Sequence, residues 1–152
     1  MQPVSIPTNA LVLISDGRHA RLLRNRGTPV KPQLIVEKAL DRVNPPTREQ
    51  GSDRPGRKHG ADGNARSAIE QTDWHQQEEQ RFAAEIAEML YKLGHAGNFE
   101  ELVVVAPPKM LGDLRAKFHP VVKDAVVAEL ARDLTQYSVP EISDMLKIQT
   151  IQ

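Results

Sequence analysis

The chain has 152 residues, 39% of them hydrophobic, with 20 Lys or Arg matched by 20 Asp or Glu and no cysteine. That length suits one domain able to bury roughly 70% of its unfolded surface. The missing cysteines exclude disulfide stapling, thiolate metal sites and thiol nucleophiles, and no apolar run approaches the ~20 residues of a membrane span.

The zero net charge hides an asymmetry. Residues 1–66 carry 12 basic against 6 acidic side chains, and residues 67–152 carry 8 against 14. Such a division either generates a dipolar surface with one anion-attracting face or is cancelled where the fold interleaves the halves. No basic start followed by a long apolar stretch marks the N-terminus for export, so the cytoplasm is expected.

Residues 10–15 read as a buried strand, and Asp16-Gly17 as the turn that follows it. His19 to Arg24 forms the returning strand. A third strand covers Gln33 to Ala39, with Leu34, Val36 and Lys38 on one side and Ile35 and Glu37 on the other. Pro29 and Pro32 fall in the connection, where a missing amide does least harm. From about 41 to 71 the pattern vanishes amid Pro45, Pro46, Pro55, Gly51, Gly56, Gly60 and Gly63. A connection that long predicts a mobile loop, either functional or a solvated linker.

Thr72 or Asp73 then caps an amphipathic helix over about 74–93. Phe82, Ile86, Met89, Leu90 and Leu93 make its apolar stripe, and Gly94 and Gly97 stop it. Glu101 to Ala106 is a further buried strand, ended by Pro107-Pro108. Met110, Leu111, Leu114 and Phe118 suggest a short helix after it. Residues 121–134 fit one helix or a short helix at 120–125 followed by a strand at 126–131, and the second reading is adopted. Ser138 caps a final helix from Val139 to about Lys147. Strands alternating with helices after an initial hairpin predict an α/β layer structure: a mixed sheet opened by an antiparallel meander and covered by helices.

The chemistry-bearing motifs are few. His19, His59, His75, His95 and His119 lack HxH, HxxH or HExxH spacing, so no metal site is expected. Neither a GxSxG elbow nor a phosphate-binding P-loop is present, and no cofactor is expected. Asp16 ends an apolar strand, where carboxylates in α/β enzymes sometimes hold metal. The adjacent Gly17 favours a tight-turn role. His75 reads as an exposed helix residue that can also face the polar loop.

The remaining candidate is the 48–66 segment, with Arg48, Arg54, Arg57, Lys58 and Arg66 against Glu49, Asp53 and Asp62, a balance of +2. Arg and Lys can neutralise phosphates there while glycine allows close backbone approach. Trp74 is the first aromatic after this run, which argues against a stacking platform for single strands. A phosphate-backbone contact with structured RNA, a solvated linker and a protein-binding loop all remain open.

The order of several segments adds to this reading. LVLISDGRHARLLRN at 11–25, Thr72-Asp73-Trp74-His75, Phe82-Ala83, LVVVAPPKMLG at 102–112, Leu114-Arg115 and Arg132-Asp133-Leu134-Thr135 together resemble the family of proteins required for attachment to host cells. That family in turn is similar to the central domain of archaeal and eukaryotic peptide-chain release factors. In those factors a lysine-histidine-glycine run leads into a glycine-glycine-glutamine loop and a long helix, and the loop promotes peptidyl-tRNA hydrolysis on the ribosome. Here Lys58, His59 and Gly60 match the lead-in and Gly63 the second glycine. Asp62 replaces the first glycine and Asn64 the glutamine.

The resemblance implies a release-factor-like central-domain fold across a single domain, 1–152. It also implies a ribosome or structured-RNA partner contacted through Arg54, Arg57, Lys58, His59, Gly60, Gly63, Asn64 and Arg66. Asp62 brings negative charge toward RNA phosphates, and Asn64 carries its amide one methylene short. A misplacement of about 1 Å can cost a hundredfold in rate. A non-enzymatic binding protein of translation or ribosome rescue is therefore the leading expectation. The alternatives are a peptidyl-tRNA ester hydrolase using Gly63 and Asn64, and a regulatory module binding a protein partner. No membrane partner is expected, and oligomeric state is left open.

Overall fold

The computed structural model describes residues 6–41 and 60–151, with side chains described over 6–41 and 74–146. Five strands form one sheet: β1 Leu11–Ser15, β2 His19–Asn25, β3 Leu34–Asp41, β4 Leu102–Ala106 and β5 Val126–Ala131. Among the described residues the helices are α1 Gly60–His95, α2 Pro108–Lys117, α3 Pro120–Ala125 and α4 Val139–Ile151. The spatial order is β3-β2-β1-β4-β5. The β3-β2-β1 half is antiparallel, and the β1-β4-β5 half is parallel. This is the expected α/β architecture with a mixed sheet.

Alternation along β1 and β4 divides the core. Leu11, Leu13, Leu102 and Val104 face α1, α2 and α3, whereas Val12, Ile14, Val103 and Val105 face Leu134 and α4. Both central strands are fully buried, which is why they read as unbroken apolar runs. From α1, Phe82, Ala83, Ile86 and Leu90 enter the first layer, and Met110, Leu111, Leu114 and Val122 join them from α2 and α3. Ile142 and Leu146 of α4 close the second layer.

Two expectations are corrected. First, β3 carries a bulge, because Leu23 pairs with Val36 while Leu22 pairs with Lys38. Residues opposite one another share a face, so Lys38 lies on the α1 side and Val36 on the α4 side, not together. Second, the long helix does not start near residue 74. It begins at Gly60, so the predicted 41–71 loop is helical from residue 60 onward, and Thr72 and Asp73 are interior positions, not caps. Residues 42–59 lie outside the described residues.

The other boundaries hold closely. Pro107 and Pro108 close β4 and open α2, and α3 followed by β5 settles the ambiguous 121–134 stretch. The C-terminus of α1 is a Schellman turn: Asn98 N–H donates to Leu93 O at 2.9 Å and Gly97 N–H to Gly94 O at 3.0 Å. Gly97 sits at φ +77°, a conformation that a Cβ resists. Ser138 caps α4 reciprocally with Glu141: Ser138 N–H donates to Glu141 Oε1 at 2.9 Å, and Glu141 N–H to Ser138 Oγ at 3.3 Å. Among the described residues, no helix is long and apolar enough to cross a membrane.

Candidate functional site

Of the sequence-predicted site residues, Arg54, Arg57, Lys58 and His59 lie outside the described residues. Gly60 opens α1, and Gly63, Asn64 and Arg66 follow on its first two turns; only their backbone is described. The expected open glycine loop is therefore replaced, from Gly60 on, by helical backbone. Beyond the first turn its amides are engaged along the helix, so extended backbone cradling of a phosphate is lost there.

The strand directions place this segment. β1 and β4 run parallel, and the hairpin turn at 16–18 lies at their C-terminal edge. α1 runs the opposite way: Glu79 meets the hairpin and the start of α2, whereas Gly94 packs beside Phe99 before β4 begins. Everything N-terminal to Glu79 thus extends past the sheet. From Gly60 to Glu79 an α-helix rises about 28 Å, and Asn64 lies about 22 Å from Glu79 along the axis at 1.5 Å per residue.

The root of this extension is tightly organised. A Cβ on Gly17 would fall 2.7 Å from Glu79 Cγ, so the missing side chain lets hairpin and helix meet. Lys109 Nζ reaches Glu79 Oε1 at 3.3 Å. Asp16 Oδ1 accepts from the amides of Arg18 and His19 at 2.7 and 2.6 Å, and its Oδ2 accepts from Thr135 Oγ1 at 3.1 Å. That is the turn role, extended by a clamp onto the segment before α4. Arg21 reinforces the clamp by donating to the carbonyls of Thr135 and Tyr137 at 3.0 and 2.9 Å. Among the described residues no group of three or more His, Asp or Glu could hold a metal ion. His75 is exposed and touches Trp74 edge-on.

Two other clusters had no linear signal. At the opposite edge, buried Arg24 donates to Glu37 Oε2 at 2.8 Å, Asn9 O at 2.9 Å and Asn98 Oδ1 at 2.6 Å. These groups border a polar cavity of about 570 Å³. The bulge that offsets β3 is what accompanies Glu37's place in this network. All three guanidinium nitrogens of Arg24 are engaged there, so the cluster reads as a lock between β2, β3 and the turn after α1.

The second cluster joins α1 to the α2–α3 junction. The rings of Tyr91 and His119 lie 4.1 Å apart, tilted by 34°, and His95 lies 5.9 Å from the other partner, Tyr91. A crevice of about 280 Å³ beside them is lined by Ala84, Ala87, Glu88, Tyr91, Lys117 and His119. Residues 91 and 119 share no sequence spacing that would announce their contact; only the packing of α2 and α3 on α1 brings them together.

The ion pairs speak to the charge asymmetry. His19–Asp41, Arg24–Glu37 and Arg26–Glu37 lie within the basic half. Arg81–Glu78, Lys109–Glu79 and Arg115–Glu129 lie within the acidic half. None of these six pairs joins the two halves. The Glu129 carboxylate raises the pKa of Arg115 through its hydrogen bond and then its charge. The Ser138 amide, and then its hydroxyl, lower that of Glu141.

The family model for bacterial archaeo-eukaryotic release factor family 12 matches residues 9–146. Among solved structures, the crystal structure of an archaeal translation termination factor is similar at a TM-score of 0.46 and 12% identity. The match covers 93% of this chain and 37% of that one, so the chain spans little more than a third of its length. No curated protein matches.

Proposed function

The chain belongs to bacterial archaeo-eukaryotic release factor family 12, and from that premise we propose that it is a ribosome-contacting protein of translation or ribosome rescue. In this reading the 152 residues act as one domain, and the basic segment 48–66 touches RNA phosphates. The observation that carries it is the overhang of α1. A helix that continues about 28 Å past its sheet, rooted by Gly17, Glu79 and Lys109, holds Gly60, Gly63, Asn64 and Arg66 away from the body of the fold.

Physical chemistry supports a contact of this kind. Arg54, Arg57, Lys58 and Arg66 supply charge for phosphate oxygens, and His59 can add a ring donor. The leading amides of α1 lack intrahelical acceptors, and the helix dipole favours negative charge at that end. Binding, not chemistry, is the favoured role. Peptidyl-tRNA hydrolysis at Gly63 and Asn64 is the second reading, favoured by family membership. Against it stand the charge of Asp62 and the shorter amide of Asn64.

Co-sedimentation with ribosomes across a salt series tests the proposal, with Arg57, Lys58 and Arg66 replaced together by alanine. The parent protein should lose affinity steeply as salt rises, and the triple variant should bind at least tenfold more weakly at low salt, with a shallower salt slope. Salt-independent association, or a triple variant that binds like the parent, overturns the reading. Association that survives both the substitutions and ribonuclease would instead favour a protein partner, the role that the resemblance to host-attachment proteins implies.

A further inference from the structure

The crevice between α1 and the α2–α3 junction has the makings of a second contact, far from the first. Along α1, Ala84, Ala87, Glu88 and Tyr91 recur at helical spacing and form one wall, with the two alanines leaving the floor open. Lys117 and His119 form the other wall. The Tyr91 and His119 rings pack at 4.1 Å between centroids with a 34° tilt, and His119 is exposed, so a further flat ring can pack on the imidazole. Basic side chains sit in the last turns of all three helices, Lys92 and His95 on α1, Lys117 on α2 and Lys123 on α3, and Lys117 lines the crevice itself. At about 280 Å³, the space falls below the ~300–1,000 Å³ of pockets for drug-sized molecules. One ring system fits it better than a whole cofactor.

We propose that this crevice takes a single unpaired RNA nucleotide. The base packs on His119, which Tyr91 backs, the Glu88 carboxylate accepts from amino or imino N–H groups on its edge, and Lys117 neutralises the adjoining phosphate. Stacking on aromatic rings tolerates many sequences, and a lone carboxylate favours bases that present donors. This inference rests on RNA being the partner, but it uses none of the residues of the 48–66 segment. Tyr91 lies about 40 Å along α1 from Asn64, so the two contacts would engage separate parts of one RNA.

Fluorescence anisotropy with a ten-nucleotide single-stranded purine RNA separates the two, using the full chain. Tyr91→Leu should raise Kd about tenfold at every salt concentration, because stacking releases few counterions, while Tyr91→Phe should bind like the parent. Lys117→Gln, at an exposed position tolerant of change, should weaken binding and reduce the salt slope by about one. Unchanged Kd in both Tyr91→Leu and Lys117→Gln overturns the proposal, whatever the Arg57/Lys58/Arg66 variant does. Loss in the crevice variants with full binding by that triple variant keeps the crevice and removes the loop contact. Guanosine monophosphate serves as the second probe; if it binds as tightly as the RNA and at the same residues, a free nucleotide is the ligand and the RNA assignment falls.

Discussion

The two ends of α1 obey different rules. Between Glu79 and His95 the helix exists because Phe82, Ile86 and Leu90 are fully withdrawn into a layer shared with β1 and β4. Between Gly60 and Glu78 the helix continues without a break, through a stretch that carries no apolar stripe. Packing dictates one end, and local helical backbone the other. The contrast teaches that a single helix can serve as core element and as arm. The hairpin turn at Asp16–Arg18 marks the boundary, since Gly17 and Glu79 meet there.

Substitutions at the two ends should differ accordingly. Leu90 is 0% exposed, and Leu90→Ala should lower unfolding free energy by about 2–5 kcal/mol in urea titration. A loss below ~1 kcal/mol would deny that this end is a packed core element. Gly97→Ala should cost ~1–2 kcal/mol, since the Schellman turn holds this residue at φ +77°; an unchanged midpoint would mean that the turn relaxes freely. At the far end, Asn64→Ala should shift stability by no more than ~0.5 kcal/mol. Any peptidyl-tRNA hydrolysis should vanish in that variant if the second functional reading holds, and equal rates would remove Asn64 from it.

The smallest effect concerns pH. Glu141 has its pKa lowered from an ordinary 4.5 by Ser138, so its stabilisation of α4 is present above the unfolded value. It is lost as pH falls through the lower folded value. Protection of the amides at the start of α4, relative to their intrinsic exchange at each pH, should therefore fall in the parent as pH drops through the lowered folded value and stay constant in Glu141→Gln. Identical pH profiles in the two proteins would show that the cap does not titrate with this carboxyl.

Much of the fold was legible because its central strands are buried on both faces. Leu11 to Ile14 and Leu102 to Val105 have no polar interruption, and Pro107-Pro108 ends the second of them. The short α3 before β5 was readable only as one of two options, favoured by the alternation of Val126, Ala128 and Leu130. The β3 bulge was not, since Leu34, Val36 and Lys38 keep a regular period while the pairing shifts beneath them. The first fourteen residues of α1 were missed for a related reason: Gly60, Gly63 and a polar composition carry no apolar stripe, and glycine in a helix is intrinsically unfavourable. As for the candidate site, the basic character of residues 54–66 was visible in order. The Tyr91–His119 stack was invisible, because it joins side chains 28 positions apart.

By itself, then, the sequence determined the five strands, the packed part of the long helix, the proline and serine boundaries, and the location of basic charge. Each of these follows from local periodicity, backbone restriction or composition, which the chain carries at every position. Only the tertiary structure decided that α1 outruns its sheet, that Asp16 is tied to Thr135, that Arg24 is locked by Glu37 and Asn98, and that Tyr91 meets His119 above an open crevice. Those are distances between residues far apart in the chain. They are set when apolar layers on both faces of one sheet fix where each helix must lie.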